Sequence, residues 1–141
     1  MSSPMSTLRD LAQQDVDDAT TALGKSRQAY LHAEQQLSML LNYQDEYRQK
    51  LNQGMSGGMD ASRWQNYQQF IRTLDQAIDQ HRIQLNQCNV RLATATRCWQ
   101  EKQQRLNAFC TLHERQEQQL KMHHNKQDQK RIEEYTQRAA K

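Results

Sequence analysis

The chain of 141 residues has a net charge of +3 and is rich in helix-forming side chains, with 24 glutamines but only four glycines and one proline. Only 22 residues are Leu, Ile, Val or Phe, too few for the core of a compact globule of this length. The composition therefore excludes β-sandwiches, α/β nucleotide-binding folds and disulfide-rich scaffolds, and it leaves long helices or disorder.

The first predicted element is a helix over about residues 6–52, because two rows of residues there repeat every seventh position. One row consists of Val16, Leu23, Tyr30, Leu37, Gln44 and Leu51. The second row, three residues further on, consists of Ala12, Ala19, Ser26, Ala33, Leu40 and Tyr47. A disordered chain has no reason to keep this register, so the pattern favours a coiled-coil helix.

A loop is predicted at about residues 53–59, where three of the four glycines lie. A second helix is predicted over about residues 60–138, with Asp60 or Ser62 as its cap and no internal Gly or Pro. It also carries two heptad rows. We call these two rows, together with the two rows of the first helix, the seam. These rows are Trp64, Ile71, Ile78, Leu85, Leu92, Trp99, Leu106 and Tyr67, Leu74, His81, Cys88, Ala95, Lys102, Phe109.

Two heptad helices joined by a short loop predict an all-α fold, a long antiparallel two-helix coiled-coil hairpin forming one domain over 1–141. Pairing outward from the predicted loop makes facing residue numbers sum to about 113, so Leu8 should face Arg105. The second helix is much longer than the first, and the seam fails beyond Leu120, where Gln127 takes the next position. We therefore expect an overhanging C-terminal helix that another protein completes or whose end frays.

Several classes of function have little support in the sequence. No secretory signal and no apolar run of membrane-spanning length is present, and the odd number of cysteines (Cys88, Cys98 and Cys110) is typical of reduced thiols, so we expect a cytoplasmic protein without direct membrane insertion. Cys110 and His113 are too far along the helix from His123 and His124 to form a metal site. We expect no metal and no cofactor.

Catalysis and nucleic-acid binding are also not indicated. A two-helix hairpin offers no concave pocket, and the chain has no glycine-rich phosphate loop or nucleophile elbow, so we expect no enzyme. Residues 60–141 carry 14 basic and 9 acidic side chains, but the basic residues of the tail have only Tyr135 as an aromatic neighbour. This pattern favours a solvated helix face or an acidic protein partner over nucleic acid.

Phe70 is the one large apolar residue that the seam does not require. It lies beside the seam, and with Leu74, Ala77 and His81 it forms a second stripe along one helical face. Half exposed on an isolated hairpin, it is a suitable anchor for a partner. The alternative is that it folds over the end of the hairpin near Tyr43 or Tyr47. The pattern alone leaves both interpretations open.

Particular residues in several segments resemble the FliJ family of flagellar type III export proteins. They are Asp17, Asp18, Ala19, Met39, Leu40, Tyr43, Gln44, Glu46, Tyr47, Arg48, Trp64, Asn66, Tyr67, Gln68, Gln69, Phe70, Ile71, Thr73, Leu74, Ala77, Ile78, Gln80, His81, Arg82, Asp128, Gln129, Lys130, Gln137, Arg138, Ala139 and Ala140. The resemblance covers most of the chain in order, including the glycine loop. It departs mainly between Cys110 and Lys126, where this chain is His-rich.

The resemblance implies a cytoplasmic antiparallel coiled coil similar to the central stalk (γ) subunit of rotary F-type ATPases. It implies binding to the hexameric export ATPase (FliI), promotion of its ring assembly, and association with the ATPase regulator FliH. It also implies binding to the cytoplasmic domain of the export gate protein FlhA and to export chaperones that escort substrates. The expected location is the cytoplasm, peripherally associated with the export apparatus of the inner membrane.

The resemblance also assigns residues to these contacts. The gate-binding stripe is expected at Phe70, Leu74, Ala77 and His81. The ATPase contacts are expected at Arg9, Gln13, Arg105, Leu112, Gln116 and Leu120. Replacement of both Phe70 and Leu74 by alanine is expected to abolish gate binding without loss of helicity or thermal stability. The alternative function is a general coiled-coil chaperone or scaffold that holds unfolded export substrates.

Overall fold

The computed structural model describes residues 4–140, and it is almost entirely helical. Helix α1 spans Pro4–Ser56 and helix α2 spans Ala61–Ala139, and residues 57–60 connect them. No strand occurs between residues 4 and 140. The two helices pack against each other along their heptad rows, which confirms the predicted all-α hairpin. None of the helical segments in the described part of the chain is both long and apolar enough to cross a membrane.

The connection is shorter than the predicted loop at 53–59, because α1 continues through Gly54 to Ser56. The helix ends where Gly58 adopts a positive φ of 77°. The N–H of Met59 then donates to the carbonyl of Gly54 at 2.8 Å, which is the closing bond of a Schellman motif. A glycine inside a helix costs only about 1 kcal/mol relative to alanine, so Gly54 does not end α1, whereas the left-handed backbone at Gly58 does.

Helix α2 begins directly after Asp60, at the position predicted for the cap. The carbonyl of Asp60 accepts the first hydrogen bond of the helix, from the N–H of Trp64 at 3.0 Å. Because the connection is centred nearer residue 59 than residue 56, the facing residues are displaced from the predicted pairing. Tyr47 contacts Phe70 and Gln44 contacts Asp75, so facing residue numbers sum to 117 and 119.

The hairpin divides into two compact units. Unit 1 comprises the described residues up to Ala19 and those from Trp99 onward, and unit 2 comprises Thr20–Cys98. In unit 2 every predicted seam position is buried or half-buried, while most flanking residues are exposed. The buried members are Ala33, Leu37, Leu51, Leu74 and Ile78. Its contacts run antiparallel, since Tyr47 lies against Tyr67 and the earlier Gln44 lies against the later Asp75.

Unit 1 has a shorter core of the same kind. Ala12, Val16 and Leu106 form a buried cluster, and Phe109 and Cys110 pack against it. Ala12 and Leu106 of this cluster sum to 118 rather than 113, so the pairing predicted around Leu8 and the neighbourhood of Arg105 is displaced by one to two helical turns, because the connection lies later in the chain. Beyond His113, every described residue of α2 is exposed, including Ile132 at 66% and Tyr135 at 76%. This segment, residues 114–140, is the predicted overhanging helix.

Candidate partner-binding surfaces

Three aromatic rings of unit 2 form a cluster near the end of the hairpin, which we call the ring cluster. The ring of Tyr47 on α1 lies 4.5 Å from that of Phe70 and 6.1 Å from that of Tyr67, measured between centroids, and both pairs are tilted. Separations and angles of this kind suit aromatic rings, because the positive edge of one approaches the negative face of another. The ammonium group of Lys50 lies 5.4 Å from the centroid of Tyr47.

Phe70 has both a contact on α1 and an exposed face. It packs on Tyr47, as the folding-over interpretation predicts, yet 43% of its surface is exposed. Tyr43 and Met39 on α1 are also exposed, at 47% and 55%. An apolar ring that is held by one neighbour and open on its other side is available to a partner at low entropic cost.

The other three members of the predicted gate-binding stripe are less accessible than Phe70. Leu74 is buried, at 8% exposure, and Ala77 and His81 are half-buried. Leu74 lies in the seam because its heptad position faces α1. The expectation that the double replacement of Phe70 and Leu74 leaves the melting temperature unchanged is therefore wrong, since truncation of a buried leucine costs about 2–5 kcal/mol.

His81 lines an apolar groove with a volume of about 200 Å³ on unit 2, together with Gln36, Met39, Leu40 and Tyr43. Its Nδ1 atom is buried and has no hydrogen-bond partner among the described residues. A buried ring nitrogen without a hydrogen-bond partner costs free energy. The heptad pattern placed His81 in the seam but gave no sign of the groove beside it.

A polar cluster crosses from α1 to α2 directly beside the ring cluster. The amide of Gln44 donates a hydrogen bond to Oδ1 of Asp75, and the guanidinium of Arg48 lies 3.7 Å from the same oxygen. We call these three residues the polar clamp. Sequence reasoning did not identify it, although a signal was present, since Gln44 is the one long polar side chain in its heptad row.

The residues expected to contact the ATPase all lie in unit 1. On α1, half-buried Arg9 pairs with Asp10 at 3.7 Å, and the amide of Gln13 donates to Oδ1 of Asp17 at 3.0 Å. On α2, the guanidinium of Arg105 lies 5.7 Å from the ring centroid of Phe109. These contacts are local to each helix and leave Gln13 and Arg105 exposed.

The remaining three expected contacts lie where the seam ends. Leu112 and Leu120 are exposed at 47% and 55%, and Gln116 between them is exposed as well. Nε2 of His113 lies 3.1 Å from a carboxylate oxygen of Glu117, one turn later. Leu112 and Leu120 lie about 12 Å apart along the helix axis, and each leaves apolar surface exposed.

Chemically reactive groups are few in the described residues. Cys88, Cys98 and Cys110 are free thiols, and no group of three or more metal-ligating side chains is found between residues 4 and 140. Glu34 raises the pKa of Tyr30, mainly because its carboxylate accepts a hydrogen bond from the phenol and also because of its negative charge.

Comparison with known proteins agrees with these features. The chain is matched by the family model described as "Flagellar FliJ protein" over residues 1–141. It is 50% identical to the flagellar FliJ protein of Escherichia coli strain K12 and 48% identical to that of Salmonella typhi, in each case over 136 residues, 96% of this chain and 92% of the relative. The family description names no catalytic activity, in agreement with the prediction that the chain is not an enzyme. The chain belongs to the FliJ family of flagellar proteins.

Proposed function

We propose that this protein is a non-enzymatic component of the flagellar type III export apparatus that couples the export ATPase to the export gate. In this role it binds the ring of the ATPase FliI, promotes its assembly in the presence of the regulator FliH, and binds the cytoplasmic domain of FlhA. It acts in the cytoplasm, peripherally associated with the apparatus at the inner membrane. The observation that carries the proposal is membership of the FliJ family along the whole chain.

The surface of unit 2 around Phe70 supports the gate-binding part of the proposal. Phe70 is half exposed while Tyr47 packs against its ring, and unit 2 also has an apolar groove lined by Met39 and Tyr43 of α1 and by His81 of α2. Aromatic residues with one supported face are the side chains that most often dominate binding energy at protein interfaces. We assign Phe70, Ala77 and His81 to direct contact with the gate domain. Leu74 packs in the seam and supports this surface from the core of unit 2.

The surface of unit 1 supports the ATPase-binding part. Its α2 segment leaves Leu112 and Leu120 exposed, and residues 114–140 have no packing partner among the described residues. A helix with exposed leucines and no seam of its own is suited to insertion into a partner that supplies the missing contacts. We assign Arg9, Gln13, Arg105, Leu112, Gln116 and Leu120 to this contact.

Gate binding is tested by replacing Phe70 alone with alanine. Because Leu74 is left in place, we expect the melting temperature to stay within a few degrees of the wild type. Affinity for the purified cytoplasmic domain of FlhA, measured by isothermal titration calorimetry, should fall about 30-fold or more. Tyr135→Ala, which removes an even more exposed aromatic ring from unit 1, is the matched control and should bind normally. Equal affinity of the Phe70 variant and the wild type would remove this surface from the proposal.

ATPase coupling is tested by measuring the activity and ring assembly of the purified export ATPase with and without this protein. We expect stimulation and more hexamer with the wild type, and less of both with Leu112→Ala combined with Leu120→Ala. Both leucines are exposed, so their truncation should not unfold unit 1. Absence of any effect of the wild-type protein on the ATPase would contradict the coupling role.

The alternative is a chaperone or scaffold that holds unfolded export substrates, and the Gln-rich exposed faces of both helices are compatible with it. Pull-down experiments separate the two functions. A general holding protein should retain many unfolded clients and ignore the folded ATPase ring, whereas a coupling protein should retain the ATPase, the gate domain and selected export chaperones.

A further inference from the structure

Asp75 makes two polar contacts with α1 across the hairpin of unit 2. The amide of Gln44, 31 residues away in sequence, donates to its carboxylate, and the guanidinium of Arg48 lies 3.7 Å from the same oxygen. The side chain of Asp75 is 45% exposed, so the ion pair with Arg48 contributes little stability by itself. Stability alone therefore does not explain why this ion pair is present.

Gln44 occupies a seam position at which an apolar residue would stabilise the hairpin more. A polar residue in a coiled-coil seam lowers stability but selects one arrangement of the helices over others. Displacement of α2 by one heptad, about 10 Å along the axis, would bring Gln68 or Arg82 to the place of Asp75. Neither residue offers a carboxylate to Gln44 and Arg48, so only the observed arrangement satisfies the clamp.

The polar clamp and the ring cluster hold the same turns of the two helices. Gln44 and Arg48 lie three residues before and one residue after Tyr47, and Asp75 lies one turn beyond Phe70. The heptad displacement that breaks the clamp would also replace Phe70 opposite Tyr47 by Arg63 or Ala77. The contact of Phe70 with Tyr47 thus depends on the same pairing as the clamp, which the closed turn sets and the clamp reinforces at this point of unit 2.

We infer that Asp75 is a positioning residue for the gate-binding surface, acting through Gln44 and Arg48 to hold Phe70 against Tyr47 rather than by touching the partner. This role rests on the proposed function, because the position of the Phe70 ring matters only if this surface binds the export gate. A ring held in place before binding loses less conformational entropy when the partner docks. Loss of the clamp should accordingly weaken binding more than it weakens the fold.

Asp75→Ala in the full-length chain tests the first part of this role. Nuclear Overhauser contacts between the rings of Tyr47 and Phe70 in the free protein should weaken or disappear. Affinity for the cytoplasmic domain of FlhA should fall about tenfold, because the partner must then order the ring of Phe70 as it binds. Asp79→Ala, one turn further along α2 on its exposed face, is the matched control and should leave both measurements unchanged. Retention of ring contacts and affinity in Asp75→Ala would overturn the inference.

A pair of substitutions that exchanges the hydrogen-bond donor and acceptor between residues 44 and 75 separates positioning from direct contact. Gln44→Glu alone places a second carboxylate against that of Asp75, and the repulsion between them should weaken gate binding as Asp75→Ala does. Adding Asp75→Asn restores the hydrogen bond with donor and acceptor exchanged, and affinity should recover to within about threefold of the wild type. If the double variant binds as weakly as Gln44→Glu, Asp75 contacts the partner directly and the positioning role is wrong.

The two measurements also distinguish failure of this inference from failure of the proposed function. The ring contacts are read in the free protein and decide the action of the clamp on Phe70 whether or not a partner binds. Wild-type protein that shows no affinity for the gate domain would refute the proposed function, and with it the purpose of the clamp. If the wild type binds the gate domain and every clamp variant binds with the same affinity, only the inference about Asp75 is refuted.

Discussion

Residues 64–113 and residues 114–140 belong to one continuous helix, but among the described residues only the first segment has a packing partner. In the paired segment the seam positions are buried or half-buried, down to 4% exposure at Ile78, whereas every described residue of the unpaired segment is exposed. Both segments are rich in glutamine and other helix-forming residues. The difference shows that helix propensity sets the secondary structure here, while the heptad rows decide which part of the helix has a core.

The largest effect is expected when an isoleucine is replaced by alanine in each of the two segments. Ile78→Ala should lower the free energy of unfolding by about 2–4 kcal/mol, because it opens a cavity in the seam. Ile132→Ala, at a site that is 66% exposed, should change it by less than about 0.5 kcal/mol. Urea denaturation followed by far-ultraviolet circular dichroism measures both. Similar losses in the two variants would mean that residues 114–140 pack against something in the free protein.

Amide hydrogen exchange of the free chain gives the second test. A helical segment without packing contacts opens locally more easily than one with a buried seam, so amides of residues 114–140 should exchange at least about a hundredfold faster than those around Leu74 and Ile78. Mass spectrometry of proteolytic fragments resolves the two segments. Addition of the export ATPase should slow exchange in the unpaired segment if it binds there. Equal protection of both segments in the free chain would contradict the contrast drawn from burial.

The two glycines Gly58 and Gly24 give a smaller test, which separates the turn from the helix interior. Gly58→Ala should lower the free energy of unfolding by about 1–2 kcal/mol, because alanine is strained at a φ of 77°. Gly24→Ala should raise it by about 0.5–1 kcal/mol, since this glycine lies within α1 and a methyl group there meets open space. Opposite signs in the same denaturation experiment are the expected result. A stabilising effect of Gly58→Ala would contradict the Schellman closure of the turn.

The smallest expected effect concerns Tyr30 and Glu34. Since Glu34 raises the pKa of Tyr30, the neutral phenol is favoured in the folded chain. The stabilisation is therefore present at neutral pH and is lost as the pH rises through the raised pKa. Glu34→Gln should lower the pKa of Tyr30 toward the ordinary value of about 10, measured by carbon-13 nuclear magnetic resonance of labelled tyrosine. An unchanged titration in this variant would exclude Glu34 as the cause.

Most of the fold follows from the sequence because periodicity is a property of the whole helix. The heptad rows through Val16, Leu37, Ile78 and Leu106 correspond to the buried positions, but the core ends near residue 113, one heptad before the predicted failure of the seam beyond Leu120. The pairing of the helices was harder to predict, because it depends on the exact end of α1. A single left-handed residue, Gly58, decides that end, and three neighbouring glycines could not be ranked from sequence.

The candidate surfaces were only partly predictable, because side-chain contacts between helices depend on that pairing. Phe70 could be recognised as unnecessary to the seam, but its contact with Tyr47 rather than Tyr43 required the observed register. The polar clamp was missed for the same reason, since Asp75 lies opposite Gln44 only when facing residue numbers sum to 119. Assignment of the stripe around Phe70 and of the ATPase contacts came from family resemblance and remains a prediction.

The four-residue connection at 57–60 also restricts how the length of unit 2 can change. Because the turn is closed by hydrogen bonds and the seam repeats every seven residues, an insertion in one helix of this unit would misalign every pair beyond it. Only insertions or deletions of whole heptads, matched in α1 and α2, would preserve the contacts of the seam. Residues 114–140 have no facing helix among the described residues, so this segment can gain or lose turns freely. We expect members of the family to differ in length chiefly there.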